Sequence, residues 1–436
     1  MNKKLLLAGL AGILSLATAC KKDDPSPKPT PTPQPGFTIE AKTTDLLQFD
    51  TVRLSAQGTK ADAKFSWVIN GKEVGEGKDY AFTQPRVGRY QVSLVDKTSG
   101  EKVSKDFSVT ARFTSGAFLL NEGNFGNETG TLTYIDASKQ FVLDSAYIRV
   151  NGTKLGNVCQ DMTFANGKVY IISQNGPKNG GEGLLTIADA KTLEKHKVIN
   201  DATLAKDWPT HIAVVHSRIY LRGNSGIYRG TEEGSFKLIP GTEQANKLRM
   251  VTIGELVIAT TSTNKLLVIQ DEEVKQTFTL PEGSPSGLAL APDGQLWLSY
   301  SKPNTLAKVS VSASGVKILD KHTTTQSLDK QWTATSAIFA RANQIFFTEQ
   351  SSVIYRHDFS TGETKEIVDV QKVDKQAKMY YNSLGIDPKT GHIYYASFGD
   401  YSTYKKNVTL VLDHDGKVLL KREHVNAFPA GFYFIP

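Results

Sequence analysis

Apolar and polar residues alternate in short runs along most of this chain, the two-residue period of strands that bury one face. The clearest instance is QDMTFANGKVYIISQN, Gln160–Asn175: a strand (DMTFA), an Asn166-Gly167 pair, and a second strand (KVYIIS). Asn-Gly between alternating runs is the strongest short-range hairpin signal, because both central residues must accept positive φ. The unit returns in THIAVVHSRIYLRG, RMVTIGELVIATT, GLALAPDGQLWLSY, SAIFARANQIFFTE and SLGIDPKTGHIYYASFG. Spacings of about 36 to 50 residues make the hairpin the repeat of an architecture.

Each repeat continues into a third strand and a more polar fourth, as in DMTFA, KVYIIS, GLLTIAD and KHKVI, or GLALA, QLWLSY, TLAKVSV and GVKIL. Four strands per repeat is the signature of a β-propeller blade. Six complete first strands start near Asp161, Thr210, Leu248, Gly287, Ser336 and Ser383. The unit before them has AFLLNEG, GTLTYID and VLDSAYI but no first strand, and the C-terminal PAGFYFIP is a first strand with nothing after it. Joined, the two fragments make a seventh blade. The expected fold class is all-β, with a seven-bladed propeller over residues 114–436 closed by its C-terminal strand.

Ahead of it, residues 37–112 give FTIEA, TVRLSAQ, KFSWVINGK, DYAFTQ, GRYQVSLVD and KDFSVTA, with turns at Asn70-Gly71 and Ser99-Gly100. Short strands of this kind predict a small β-sandwich with Trp67 as a core plug. Residues 1–19 have a basic start (Lys3, Lys4), an apolar stretch Leu5–Leu16 and small residues before Cys20, the pattern of a secretory signal. Residues 20–36 then run through Lys21-Lys22-Asp23-Asp24 into PSPKPTPTPQPG. Alternating Pro holds an extended polyproline II tether, at about 3.1 Å per residue.

Composition adds little to this picture and removes several options. The net charge of +7 is spread along the chain, which argues against nucleic-acid binding. Two cysteines, Cys20 and Cys159, exclude a disulfide framework. Cys159 precedes a strand with no neighbouring His and reads as a small buried hydrophobe.

Loops before the first strands and between the second and third share one face of such a fold, and that face is where a site is expected. Before the first strands stand Gln160 and Asp161, Trp208 and His211, Lys247, Trp332, Tyr380, Tyr381 and Asn382, and Phe428. The second-to-third loops supply Asn121, Glu122, Asn124 and Phe125; Gln174 and Asn175; Arg222 and Asn224; Tyr300; Glu349 and Gln350; and Phe398, Asp400 and Tyr401. Aromatic plates with amides suit a large polar-edged small molecule or a carbohydrate. A competing reading wedges Trp208 and Trp332 between blades. Of eight histidines only His211 falls at the channel mouth, so no metal centre is expected. Neither G-x-S-x-G nor H-E-x-x-H occurs, so no catalytic residues, no metal and no cofactor are assigned, and the expectation is a non-enzyme.

Several stretches resemble known families. The segment A-T-A-C ending at Cys20 resembles a bacterial lipobox, with Ala17 where Leu is more usual, and implies lipidation of Cys20. Lys21–Asp24 resembles the surface-export signal of lipoproteins in some Gram-negative anaerobes, implying an outer-membrane lipoprotein facing outward. WVINGK with VGRYQVSLVD resembles a PKD or immunoglobulin-like domain, and EGSPSGLALAPDGQLWLSY resembles the repeats of NHL and lactonase-type propellers. FLLNEGNFGNETGTLTYID with LGNVCQDMTFANGKVYIISQN resembles the YncE-like propellers of surface lipoproteins encoded beside TonB-dependent transporters, among them the BtuG-type cobalamin-capturing proteins. That resemblance covers most of residues 116–436, carries over no individual contact residue, and lacks a counterpart for the N-terminal sandwich. It implies capture of cobalamin or another corrinoid, or a glycan, and delivery to a TonB-dependent outer-membrane transporter. The alternatives are a propeller lyase or lactonase using His211 with Asp161 or Glu122, and a glycan-binding or adhesive scaffold.

Overall fold

The computed structural model describes residues 36–58, 62–329, 336–349, 351–378, 384–425 and 428–436. The leader, Cys20 and the Pro-rich tether to Pro35 lie outside the described residues, as do Trp332, Gln350, Tyr380, Tyr381 and Asn382. Among the described residues no helix is long and apolar enough to cross a membrane.

The N-terminal region forms two facing sheets, one of three strands and one of five. Trp67 is fully buried between them with Leu54, Phe82, Val92 and Leu94. The reading as six strands missed two. Asn70 and Gly71 turn KFSWVINGK into a hairpin, Phe65–Ile69 with Lys72–Glu76, at φ of 47° and 85°. Asp45–Leu47 is a short strand parallel to Lys102–Thr110.

From Ala117 onward the strands form seven four-stranded sheets. We number them by the chain order of their second strands. Sheet 1 is Pro429–Phe434, Ala117–Asn121, Thr131–Ile135 and Val142–Leu143. Sheet 2 begins with Asn157–Ala165 and Lys168–Gly176, and sheet 3 with His211–Val215. The first strands of sheets 4 to 7 are Val251–Ile253, Ser284–Leu290, Ile338–Arg341 and Leu384–Ile386. Each first strand touches the next, and the C-terminal strand touches those of sheets 7 and 2, so the first strands surround a channel. VLDSAYI was expected to be a strand; it gives only two strand residues and then a helix, Ala146–Asn151. The helix buries Ala146, Tyr147 and Val150, one face of a turn that the strand period could not bury together.

The sandwich is tied to sheets 1 and 2. Gln48, fully buried, donates from Nε2 to the carbonyls of Pro85 (2.7 Å) and Thr192 (3.0 Å). Arg112 lies over the Phe141 ring at 3.9 Å and pairs with Asp50. Phe113 packs on Phe118 and Tyr134 below and Phe49 above.

One polar cluster between the outer strands of sheets 5 and 6 carries a pH dependence. His357, 1% exposed, has Nε2 2.9 Å from His322 Nδ1 and Nδ1 2.9 Å from Thr364 Oγ1. Burial lowers its pKa, and the facing His322 adds to the effect, with Asp358 opposing. The unfolded chain thus takes up this proton more readily than the folded one. The contribution is intact above the ordinary histidine value of about 6.5 and is lost as pH falls below it. Urea denaturation from pH 7.5 to 5 should show stability falling on acidification, and His357→Gln should flatten that slope. Equal slopes in the two proteins would contradict this assignment.

Candidate functional site

The site grows from loops at one end of the sheets. Helix Ala202–Asp207 is capped by Asp201, whose carboxylate accepts from the N–H groups of Thr203 (2.9 Å) and Leu204 (3.0 Å). Asp207, at its end, is held by the Ser225 N–H and hydroxyl, and Gly223 makes the approach possible: a Cβ there would stand 2.2 Å from Asp207 Oδ2. Trp208 follows in the left-handed region at φ 53° and is pushed outward, 45% exposed. A bulky residue held at positive φ is strained, and such strain persists only where the surroundings fix it.

Trp208 meets Phe125, itself 52% exposed, with ring centroids 6.3 Å apart. Lys178 Nζ stands 3.4 Å from the Phe125 centroid, a cation on the ring's negative face. The loop holding Phe125 is fixed by amides: Asn157 Nδ2 donates to Asn124 O (2.9 Å), Asn175 Nδ2 to Asn157 Oδ1 (2.8 Å), and Asn179 Nδ2 to Phe125 O (3.2 Å). On the other flank, Lys405 of sheet 7 pairs with Glu128 of sheet 1. There Tyr404 stacks on Phe428 at 4.8 Å and 9°, and half-exposed Tyr401 lies 6.0 Å from Phe428. Together these loops make an aromatic arc across sheets 7, 1, 2 and 3. Trp208 is a surface plate here, not a wedge between sheets.

Other candidates fall elsewhere. Tyr300 was expected on this face but is fully buried in the core of sheets 4 and 5, its hydroxyl without a partner among the described residues. Phe398 is 1% exposed and packs beneath Tyr401. His211 is fully buried with Nδ1 3.0 Å from Thr210 Oγ1. Gln160 is buried and donates to Glu122 at 2.8 Å. Gln160 and His211 belong to first strands, whose ends are covered by their neighbours in a closely packed ring. Tyr300 and Phe398 lie in the second strands Leu296–Ser301 and Ile393–Phe398 and are buried there. Arg222 is engaged by Ala245 O, Thr210 and Asn224, and burial lowers its pKa. Asn224 is exposed beside it, while Gln174 and Lys247 are half-buried on the same face. Cys159 is buried, its thiol pushed up to about 12 by burial.

Asp161 was expected at the channel mouth and is instead a buried anchor inside the channel. It accepts from Tyr433 Oη (2.6 Å) and Ile212 N (3.1 Å), and Arg249 Nε lies 3.4 Å away. Burial raises the Asp161 pKa, with Arg249, Tyr433 and Ile212 pulling against it. Burial likewise drives the Tyr433 hydroxyl well above its ordinary value. Arg249, over the Tyr433 ring at 4.5 Å, was not singled out by sequence. Aligning the first strands by their last residues would have found it: Asp161, His211 and Arg249 each stand four residues before the end, in sheets 2, 3 and 4.

The ring of sheets and its central channel define the molecule as a β-propeller. Within that class, the chain belongs to the DUF5074 family, described as a domain of unknown function, whose pattern matches residues 115–435. No curated protein matches it in sequence. In structure it is similar to a quinonprotein alcohol dehydrogenase-like protein from Bacteroides thetaiotaomicron, with 16% identity and a TM-score of 0.60, covering 92% of this chain and 99% of that one. Coverage that large takes in the sandwich as well as the sheets. A protein from Lactobacillus plantarum is similar over 74% of this chain and all of its own (TM-score 0.50, 11% identity). BamB from Moraxella catarrhalis aligns over 73% and 85%, at a TM-score of 0.42 and 12% identity.

Proposed function

We propose that this protein is a non-catalytic capture protein, a seven-bladed propeller behind a PKD/immunoglobulin-like spacer, which binds a corrinoid such as cobalamin on its aromatic arc. In this reading a lipid on Cys20 anchors it to the outer membrane facing outward, and it hands its ligand to a TonB-dependent transporter. The observation that carries the reading is the exposed Phe125–Trp208 pair beside the Tyr401, Tyr404 and Phe428 cluster, on loops pinned by ion pairs and amides. Large exposed aromatic faces on a rigid base are costly to leave in water and are preorganised for a broad partner. A corrin macrocycle, planar in part and edged with amides, offers stacking surface and hydrogen-bonding groups that match this face and its asparagines. A glycan is the second ligand class, favoured by the open ring of Trp208.

Calorimetry with cyanocobalamin tests the reading. Saturable heat at micromolar protein is expected, and Phe125→Ala with Trp208→Ala together should weaken binding at least about tenfold, or 1.4 kcal/mol. Neither heat nor a shift of the corrin absorption in the wild type would sink the corrinoid assignment.

A further inference from the structure

The channel has a second end, and it differs in kind from the first. Where the turns between first and second strands meet, the first strands enclose a cavity of about 680 Å³. It is walled by the last residues of those strands, including Phe164, Leu290 and Ile386, and by the turn prolines Pro292 and Pro388. The aromatic arc, by contrast, precedes the first strands or follows the second. The two sites are on opposite faces.

This wall is apolar, with Met162, Phe164, Leu288, Phe339 and Phe432 among its members. Arg249 is the one charged side chain among the described residues that line it. Its side chain is 22% exposed, while Nε and Nη2 are buried with no hydrogen-bond partner among the described residues. A guanidinium carries five N–H donors, and here they meet the Asp161 carboxylate, with one oxygen at 3.4 Å, and the ring and hydroxyl of Tyr433, which leaves donors to spare. Buried donors without acceptors are costly, and a cation with spare donors at the inner end of an apolar chamber is the arrangement that an amphipathic anion satisfies. The volume falls within the range of small-molecule sites. Asp161 already balances part of the guanidinium charge, so a second negative group on the ligand would meet repulsion; the charge complementarity is for one.

We propose that this end of the channel binds a small amphipathic monoanion, a carboxylate on an aliphatic chain or a single ring. Its carboxylate sits on Arg249 and its apolar body lies against Phe164, Leu288, Phe339 and Phe432. Nothing in this depends on what the aromatic arc captures.

Octanoate and octanamide, which share a chain and differ in charge, are the probes, titrated calorimetrically into the full chain. Octanoate should bind with a stoichiometry of about one and at least about tenfold more tightly than octanamide. Arg249→Gln should bring octanoate down to the affinity of octanamide. Ala340→Trp, which fills the wall from a half-buried position, should remove binding of both, with melting temperatures confirming that each variant is folded. The Phe125→Ala, Trp208→Ala protein should bind octanoate as the wild type does, which separates this site from the loop face. A wild type with no saturable octanoate binding at millimolar ligand overturns the proposal and leaves a water-filled channel. So does an Arg249→Gln protein that keeps the full preference, or binding that survives Ala340→Trp.

Discussion

A chain lacking Phe432–Pro436 will fail to hold its ring of sheets closed, and its cooperative thermal transition will be lost or fall far below that of the intact protein. The strand Pro429–Phe434 pairs with Ala117–Asn121, residues separated by most of the chain, with Phe432 opposite Leu119, Tyr433 opposite Phe118 and Phe434 opposite Ala117. Phe432, Tyr433 and Ile435 are all more than nine-tenths buried. Withdrawing three such side chains forfeits about 1.5–3 kcal/mol each, before counting the cavity left behind and the unpaired edge of Ala117–Asn121. That total is comparable with the whole stability of a typical domain, about 5–15 kcal/mol. Differential scanning calorimetry of the truncated chain is the measurement; a transition coincident with the intact protein's would show that the strand closes nothing. A synthetic peptide of residues 429–436 should restore part of the lost transition, because it supplies the same pairing without the covalent link.

That closing strand was legible in the sequence because an incomplete unit at one end and a spare strand at the other are visible without coordinates. The hairpins were legible for the same kind of reason. Asn166 and Gly167 do take positive φ, 53° and 71°, and strands flank them on both sides. The site was less so. Sequence located the loops that share a face, and Phe125, Trp208 and Tyr401 are exposed there, but it did not distinguish side chains that emerge from those that turn inward. Tyr300, Phe398 and His211 lie within strands and are buried, whereas Phe125, Trp208 and Tyr401 stand outside the strands. The strand ends that separate the two groups are not marked in the sequence. The apolar cavity was invisible for a different reason: it is made where the first strands of six sheets converge in three dimensions, each contributing residues that read mostly as ordinary core.

The Asp161 cluster yields the sharpest test, because two substitutions at one position should part company. Asp161→Ala should destabilise the protein by about 2–6 kcal/mol, since it leaves the buried Tyr433 hydroxyl and Ile212 N–H without acceptors at about 1–3 kcal/mol each. Asp161→Asn should cost less than about 1 kcal/mol. It keeps one carbonyl oxygen for a donor, and the Tyr433 hydroxyl rotates to accept from the new amide. The reasoning rests on the direction of the Asp161 pKa: burial raises it despite Arg249, so the ionised carboxylate is disfavoured in the folded protein relative to the unfolded chain. For an acid with a raised folded pKa, the cost is absent below the ordinary aspartate value and complete above the folded one. Lowering the pH from 7 toward 4 should shift the stability difference in favour of the wild type over Asp161→Asn. Part of the Arg249 side chain opens into the channel, which lessens the cost of losing the facing charge. If urea denaturation instead finds Asn as damaging as Ala, the negative charge and its pairing with Arg249 hold the channel together, and the acceptor oxygens are secondary.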